Sequence, residues 1–251
     1  MKILGSDYDG TLYQGGVSEE NRARVAEWQA HGHKFGIVSG RGVDFPPKLA
    51  RIYPEMKMDF FVLCNGAYII DGEGNEIFRA GCREVSARAV VSDLLLWGCD
   101  FVHVSADTYR CILTSPEKNP GWVQETSVSL LEDFADIESF CQLSVMLGTS
   151  EEATELVGTV RQKYGAWVNP LQNGRCIDIV PKGVNKATGM ARVIAHYGAM
   201  AEDACVVGDN MNDMDMIRAF RSYAMASGVE ALKAVATFVV DSVAELIERE
   251  I

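Results

Sequence analysis

The chain has 251 residues, 48% of them hydrophobic, which is enough apolar material for one large domain or two modest ones. Its formal net charge of -12 argues against nonspecific binding to nucleic acid or anionic membranes, so an anionic ligand would have to be met by local positive charge. No apolar stretch is long enough to span a bilayer, Lys2-Ile3-Leu4 lacks the order of a secretory signal, and seven scattered cysteines include no C-x-x-C pair; the expectation is a cytoplasmic protein with buried, reduced thiols.

The first element is an apolar run, Ile3-Leu4-Gly5-Ser6, that empties into Asp7-Tyr8-Asp9-Gly10-Thr11-Leu12. If it is a strand, a period of two puts Asp7 and Asp9 on one side of its carboxyl end, the edge at which open parallel sheets bind ligands. Two adjacent carboxylates repel, so the pair needs a cation between them or a proton on one. A polar strand end followed by a turn accounts for the same residues without chemistry. Ser18 then predicts a helix N-cap, with Glu19 and Glu20 at the positive end, Val25 and Trp28 on one face and Gly32 as the stop. Residues 34–38 read as a second strand ending in Ser39-Gly40-Arg41. Pro46 and Pro47 predict a late start for the next helix, with Leu49, Ile52 and Tyr53 buried. Residues 60–63 are a third strand, and Cys64 beside Asn65 stands where a site could lie; 68–70 and 76–78 flank Asp71-Gly72-Glu73-Gly74-Asn75 as a hairpin.

Over residues 82–182 the pattern changes. A helix over 86–97 precedes strands at 101–104 and 109–113, and a looser Pro/Gly-containing segment follows. Then come a strand at 143–147, a helix capped by Ser150 with Glu151 and Glu152 in its first turn, and two strands ending at 176–180. Helix, strand, strand occurs twice, as in an α+β insertion with a mainly antiparallel sheet. His103, between Val102 and Val104, reads as a half-buried strand residue and not a ligand. Arg175 and Asp178 lie where a strand could face a cleft and are candidates for substrate contact.

After the insertion, 185–197 reads as a helix with Lys186 in its first turn, the electrostatically wrong end for a cation. It is either an exposed lysine or part of an anion site, with Lys182 the rival for that role. His196 in the last turn suits the helix dipole and needs no function. The strand at 204–208 runs into Asp209-Asn210-Met211-Asn212-Asp213, which fits a turn with a helix cap and, at a strand's carboxyl end, a ligand site as well. Met214, Ile217 and Phe220 form a core stripe, and short strands at 223–225 and 237–240 complete the sheet. The expected class is α/β, a doubly wound, mostly parallel sheet built from 1–81 and 183–251, with an inserted α+β domain.

Asp7 with Asp9, Ser39, Lys186, and Asp209 with Asp213 thus arrive at one edge of one sheet. The segments SDYDGTL, SGR, the lysine of PKGVNKA, and GDNMND resemble in order the four motifs of haloacid dehalogenase (HAD) superfamily phosphatases. NGAYIIDGEG and the large late insertion resemble the Cof-type branch of subfamily IIB. The departures are Tyr8 for a commoner aliphatic residue, Ser39 where threonine is frequent, and Ala187-Thr188-Gly189 where glycine usually follows the lysine.

The resemblance implies a Rossmann-like core with a cap domain that closes over the site. It implies that Asp7 is a nucleophile forming an aspartyl phosphate, and that Asp9 protonates the leaving oxygen and then activates water. Mg²⁺ would be held by the side chains of Asp7 and Asp209 and the backbone carbonyl of Asp9. Ser39, Gly40 and Lys186 would hold phosphoryl oxygens, with Gly10 and Thr11 offering backbone donors and Asn212 and Asp213 standing beside the metal and the lysine. Arg41 fits an ion-pair partner equally well. The implied activity is Mg²⁺-dependent hydrolysis of a small phosphorylated metabolite, a sugar phosphate first. A phosphomutase with the same aspartyl phosphate, or a noncatalytic receiver-like phospho-switch, are the alternatives.

Overall fold

The computed structural model describes residues 1–121 and 127–251, so the looser segment of the insertion lies partly outside the described residues. In chain order the strands are β1 (Ile3–Ser6), β2 (Lys34–Val38), β3 (Phe60–Leu63), β4 (Tyr68–Asp71), β5 (Glu76–Arg79), β6 (Phe101–Ser105), β7 (Tyr109–Leu113), β8 (Val128–Leu130), β9 (Gln142–Met146), β10 (Val168–Asn173), β11 (Cys176–Pro181), β12 (Ala204–Gly208), β13 (Arg221–Met225) and β14 (Phe238–Val240). The helices are α1 (Glu19–Ala30), α2 (Phe45–Ile52), α3 (Ala87–Leu96), α4 (Ser150–Tyr164), α5 (Lys186–His196), α6 (Met214–Ala219), α7 (Glu230–Lys233) and α8 (Val243–Glu250). They fall into two compact units, Met1–Gly40 with Phe45–Arg79 and Asn185–Ile251, and Arg41–Asp44 with Ala80–Val184.

The first unit holds an eight-stranded sheet in the order β14-β13-β12-β1-β2-β3-β4-β5. All neighbours from β14 to β3 are parallel, and the β4–β5 hairpin closes one edge antiparallel. This is the doubly wound α/β class. Strands covered on both faces carry continuous apolar runs, as β1 and β3 do, every residue being buried. Ile3, Val38, Val62 and Val206 pack with Met190, Val193 and Ile217 of α5 and α6. Towards α1 and α8, the Asn21 side chain accepts from the Ala244 amide at 2.8 Å and joins the two helices. Because β1 has β2 on one side and β12 on the other, chain order reverses at β1, and a crevice opens beyond the carboxyl ends of such strands.

The second unit has a six-stranded sheet, β10-β11-β9-β6-β7-β8, antiparallel except where β8 joins β7. Val102, Val104, Leu143, Val145, Ile177 and Ile179 pack with α3 and α4 on one face. His103, Ser144 and Asp178 align across β6, β9 and β11 on the other, where Asp178 accepts from Ser144 Oγ at 2.7 Å and Gln142 Nε2 at 3.2 Å.

Local details correct several expectations. α2 starts at Phe45, because Pro46 and Pro47 occupy a first turn whose amides need no helical partner. Ile52 is 61% exposed, since the apolar face of this short helix ends at Leu49. Thr149, not Ser150, caps α4, and Glu152 returns the bond in a capping box. Arg175 sits in the exposed β10–β11 turn rather than on a strand. β8, α7 and α8 escaped the sequence reading, β8 and α7 being very short. Among the described residues, all seven cysteines are free thiols and no helix is long and apolar enough to cross a membrane.

Candidate active site

Three strand ends and one helix start supply the site. β1 stops at Ser6, so Asp7 and Asp9 lie just beyond the strand on which the period-of-two expectation was based. The Asp7 amide still donates to Val207 O at 2.9 Å, one step past the strand, and its side chain is buried against Lys186. Asp7 is buried and Asp9 exposed. The loop then curls back, with Gly10 N donating to Tyr13 O at 2.9 Å and Gly10 at φ 87°. An ideal Cβ on Gly10 would stand 2.5 Å from Asp209 Oδ2, so only glycine lets this loop pass the carboxylate that follows β12. Thr11 Oγ1 donates to Asp209 Oδ1 at 2.8 Å and ties loop to strand end.

Lys186 is 1% exposed, which excludes the surface-lysine reading. Asn185 caps α5 by accepting from Thr188 N, leaving Lys186 as the first helical residue with its side chain directed inward. Its Nζ donates to Asp7 Oδ1 at 2.6 Å and to Asp213 Oδ1 at 2.5 Å. Asp213 Oδ2 in turn accepts from the amides of Asp209 and Asn210 at 3.0 and 3.2 Å. Asp213 thereby anchors both the lysine and the Asp209 loop from a wholly buried position. Lys182, the rival, is exposed and donates to Gly165 O in the second unit.

The electrostatics are those of an incompletely neutralised cluster. Burial above all, with the charges of Asp213 and Asp209, lifts the Asp7 carboxyl well above its ordinary value, against the opposing charge of Lys186. Burial and Asp213 likewise raise Asp209. Burial acts to strip the Lys186 proton, but the Asp213 and Asp7 charges outweigh it and hold the ammonium more firmly than usual. Carboxylate oxygens of Asp7, Asp209 and Asp213 lie within 4.8 Å of one another. Three carboxylates against one ammonium leave two negative charges, and an all-oxygen donor set suits a hard divalent cation. Because Asp213 is committed to the lysine and to backbone amides, the donor set points to Asp7 and Asp209. Asp213, expected as a neighbour of the metal and the lysine, lies within the carboxylate cluster itself.

Ser39 follows β2 and is buried, its amide donating to Val62 O at 2.8 Å and its carbonyl accepting from Asn65 N at 3.0 Å. Gly40 ends the first segment of the first unit, while Arg41 belongs to the second. Asn212 is half-buried in the turn before α6. The feature that sequence reading touched only in passing is Cys64-Asn65. Both residues are buried with φ near +50°, the non-glycine residues of the described chain in that region, at a cost of about 1–3 kcal/mol each. No residue-type pattern announces it, since asparagine before glycine is also an ordinary turn.

A doubly wound sheet with buried carboxylates and a buried lysine at its switch point defines a class of α/β enzyme, and the model of the haloacid dehalogenase-like hydrolases matches residues 4–246. The chain belongs to that family and is a hydrolase of it. YkrA of Bacillus subtilis (strain 168), a phosphatase in name, is 26% identical over 97% of this chain and 93% of its own length. The 5-amino-6-(5-phospho-D-ribitylamino)uracil phosphatase YbjI of Escherichia coli (strain K12) is 23% identical over 95% and 90%. Longer relatives contain the match as a part, the chain spanning 42% of one and 48% of another. Among solved structures, the HAD subclass IIB sugar phosphatase BT4131 has the same fold, with a TM-score of 0.79 and 21% identity over 100% of this chain and 99% of that one.

Proposed function

We propose that the protein is a phosphatase that hydrolyses a small phosphorylated metabolite, a sugar phosphate before others, through an aspartyl phosphate on Asp7. The observation that carries this reading is the Asp7–Lys186–Asp213 chain at the switch point, buried and closely spaced. Phosphatase-named relatives aligned along the chain support it.

Asp7 attacks phosphorus through a carboxylate oxygen, and the ester oxygen departs as the new acyl phosphate forms. Lys186 holds one Asp7 oxygen, which orients the other for attack and offsets charge on the transferring group. Asp9, exposed while Asp7 is buried, gives its proton to the departing oxygen and then takes one from the water that cleaves the acyl phosphate. Ser39 and the Gly40 amide receive phosphoryl oxygens, and Asn212 borders the site. Mg²⁺, held by Asp7, Asp209 and the Asp9 carbonyl, would supply the charge that lets two anions meet. In the insertion, Asp178, which accepts from Ser144 and Gln142, and the exposed Arg175 and Lys182 are candidates for substrate contact.

The test is phosphate release from a panel of metabolite phosphates with Mg²⁺ and with EDTA, and no bisphosphate activator. Release that needs Mg²⁺ and vanishes in Asp7→Asn is expected. Persistent acid-labile phosphorylation without turnover would instead favour a phospho-switch, and isomerisation dependent on a bisphosphate would favour a mutase.

A further inference from the structure

Ser39 and Lys186 come from distant parts of the chain and meet around a third segment, Cys64-Asn65-Gly66. These residues have φ of 52°, 51° and 106°, so the backbone turns left-handed three times in succession directly after β3. In the regular parallel ladder between β2 and β3, Ser39 N donates to Val62 O and the amide of residue 64 would return a bond to Ser39 O. Here the returning donor is Asn65 N, at 3.0 Å, one residue later. The left-handed Cys64 therefore moves the grip on Ser39 to Asn65, past the end of the ladder, and the residue after Asn65 is directed elsewhere.

That next residue is Gly66, and it faces the start of α5. An ideal Cβ on Gly66 would stand 2.3 Å from Asn185 O, the capping carbonyl that accepts from Gly189 N at 3.1 Å. From the helix side, a Cβ on Gly189 would meet Val62 Cγ1 at 2.5 Å and Gly66 Cα at 3.0 Å. Two glycines thus let the turn and the first turn of α5 touch backbone to backbone. Lys186 is the first residue of that helical turn, so its depth is set by this contact.

We propose that Cys64-Asn65-Gly66 is a positioning turn that fixes the backbone of Ser39 and the N-terminus of α5 relative to each other. It acts on the phosphate through those two groups, and its left-handed strain is retained for that reason. The inference rests on the phosphate-binding roles assigned above to Ser39 and Lys186.

The test compares two positive-φ glycines at opposite ends of α5. Gly198, at φ 64°, has open space around its Cβ position and ends the helix, whereas Gly66 abuts its start. Gly198→Ala is expected to lower the thermal midpoint and leave kcat/KM and orthophosphate affinity within about twofold of wild type. Gly66→Ala is expected to weaken orthophosphate binding, measured calorimetrically with Mg²⁺, and kcat/KM by about tenfold or more. Should Gly66→Ala fail to fold, Asn65→Val, which opposes the left-handed backbone, is expected to show the same loss, and Asn65→Gly, which permits it, to recover most of it. Folded Gly66→Ala or Asn65→Val protein with wild-type orthophosphate affinity and KM overturns the inference. Wild-type protein that binds phosphate but releases none from any ester overturns the functional reading alone, and one that does neither overturns both.

Discussion

The two units bury polar groups under different rules. In the first, parallel strands sealed on both faces leave polar side chains nowhere to go except their carboxyl ends, and there Asp7, Asp209 and Asp213 share one ammonium in a cluster short of positive charge. In the second, an antiparallel sheet has an apolar face under its helices and a polar face, where Asp178 is matched by a hydroxyl and an amide. The first unit holds excess negative charge at the end of its sheet, whereas the Asp178 carboxylate of the second is hydrogen-bonded where it lies. Mutations in the strand-end cluster of the first unit should therefore cost activity first, whereas mutations in the apolar core of the second should cost stability.

Asp7→Asn tests that contrast most severely. Loss of phosphate release by at least about a thousandfold is expected with an unchanged circular dichroism spectrum; turnover near the wild-type rate would remove the nucleophile from the mechanism. Lys186→Met should both abolish turnover and destabilise the protein by about 3–5 kcal/mol, because it leaves Asp7 and Asp213 buried without their cation. Urea denaturation at neutral pH would read this, and an undiminished midpoint would contradict the charge accounting. Asp9→Asn should slow metabolite esters by about 10²–10⁴-fold, but an aryl phosphate much less, since its leaving group needs no proton. Equal slowing of both would count against the acid role.

In the second unit, Phe140→Ala removes a fully buried ring from the core beneath the helices and should cost about 3–5 kcal/mol in chemical denaturation. The smallest effect concerns the end of α8. Burial pushes the Glu250 carboxyl up, yet bonds from Tyr223, Arg221 and Lys2 outweigh it and hold the group below the ordinary 4.5. A depressed carboxylate contributes stability above its unfolded value that is lost as pH falls through the folded one. Thermal midpoints of Glu250→Gln should therefore fall below wild type at neutral pH and converge with it well below pH 4.5; parallel curves would show that the carboxylate charge is not involved.

The order of elements and the motif residues at strand ends were legible in sequence, because apolar runs and abrupt polar endings are local and periodic. Asp7, Ser39 and Asp209 could be placed after β1, β2 and β12 without coordinates. What needed tertiary structure were the consequences of contact between distant segments. Lys186 could be read as a surface residue until α5 was seen to turn it inward between Asp7 and Asp213, residues 179 and 27 positions away. Asp7 and Asp9 could be given different roles from the motif they resemble, but that one carboxylate is buried and the other exposed was visible only in the fold. Cys64 and Asn65 gave no sign of their backbone strain, because φ there is decided by Ser39 on one side and the start of α5 on the other. Composition and periodicity determine which segments are strands and helices and where their polar ends fall; burial, charge pairing and backbone strain arise only when segments far apart in sequence come within bonding distance.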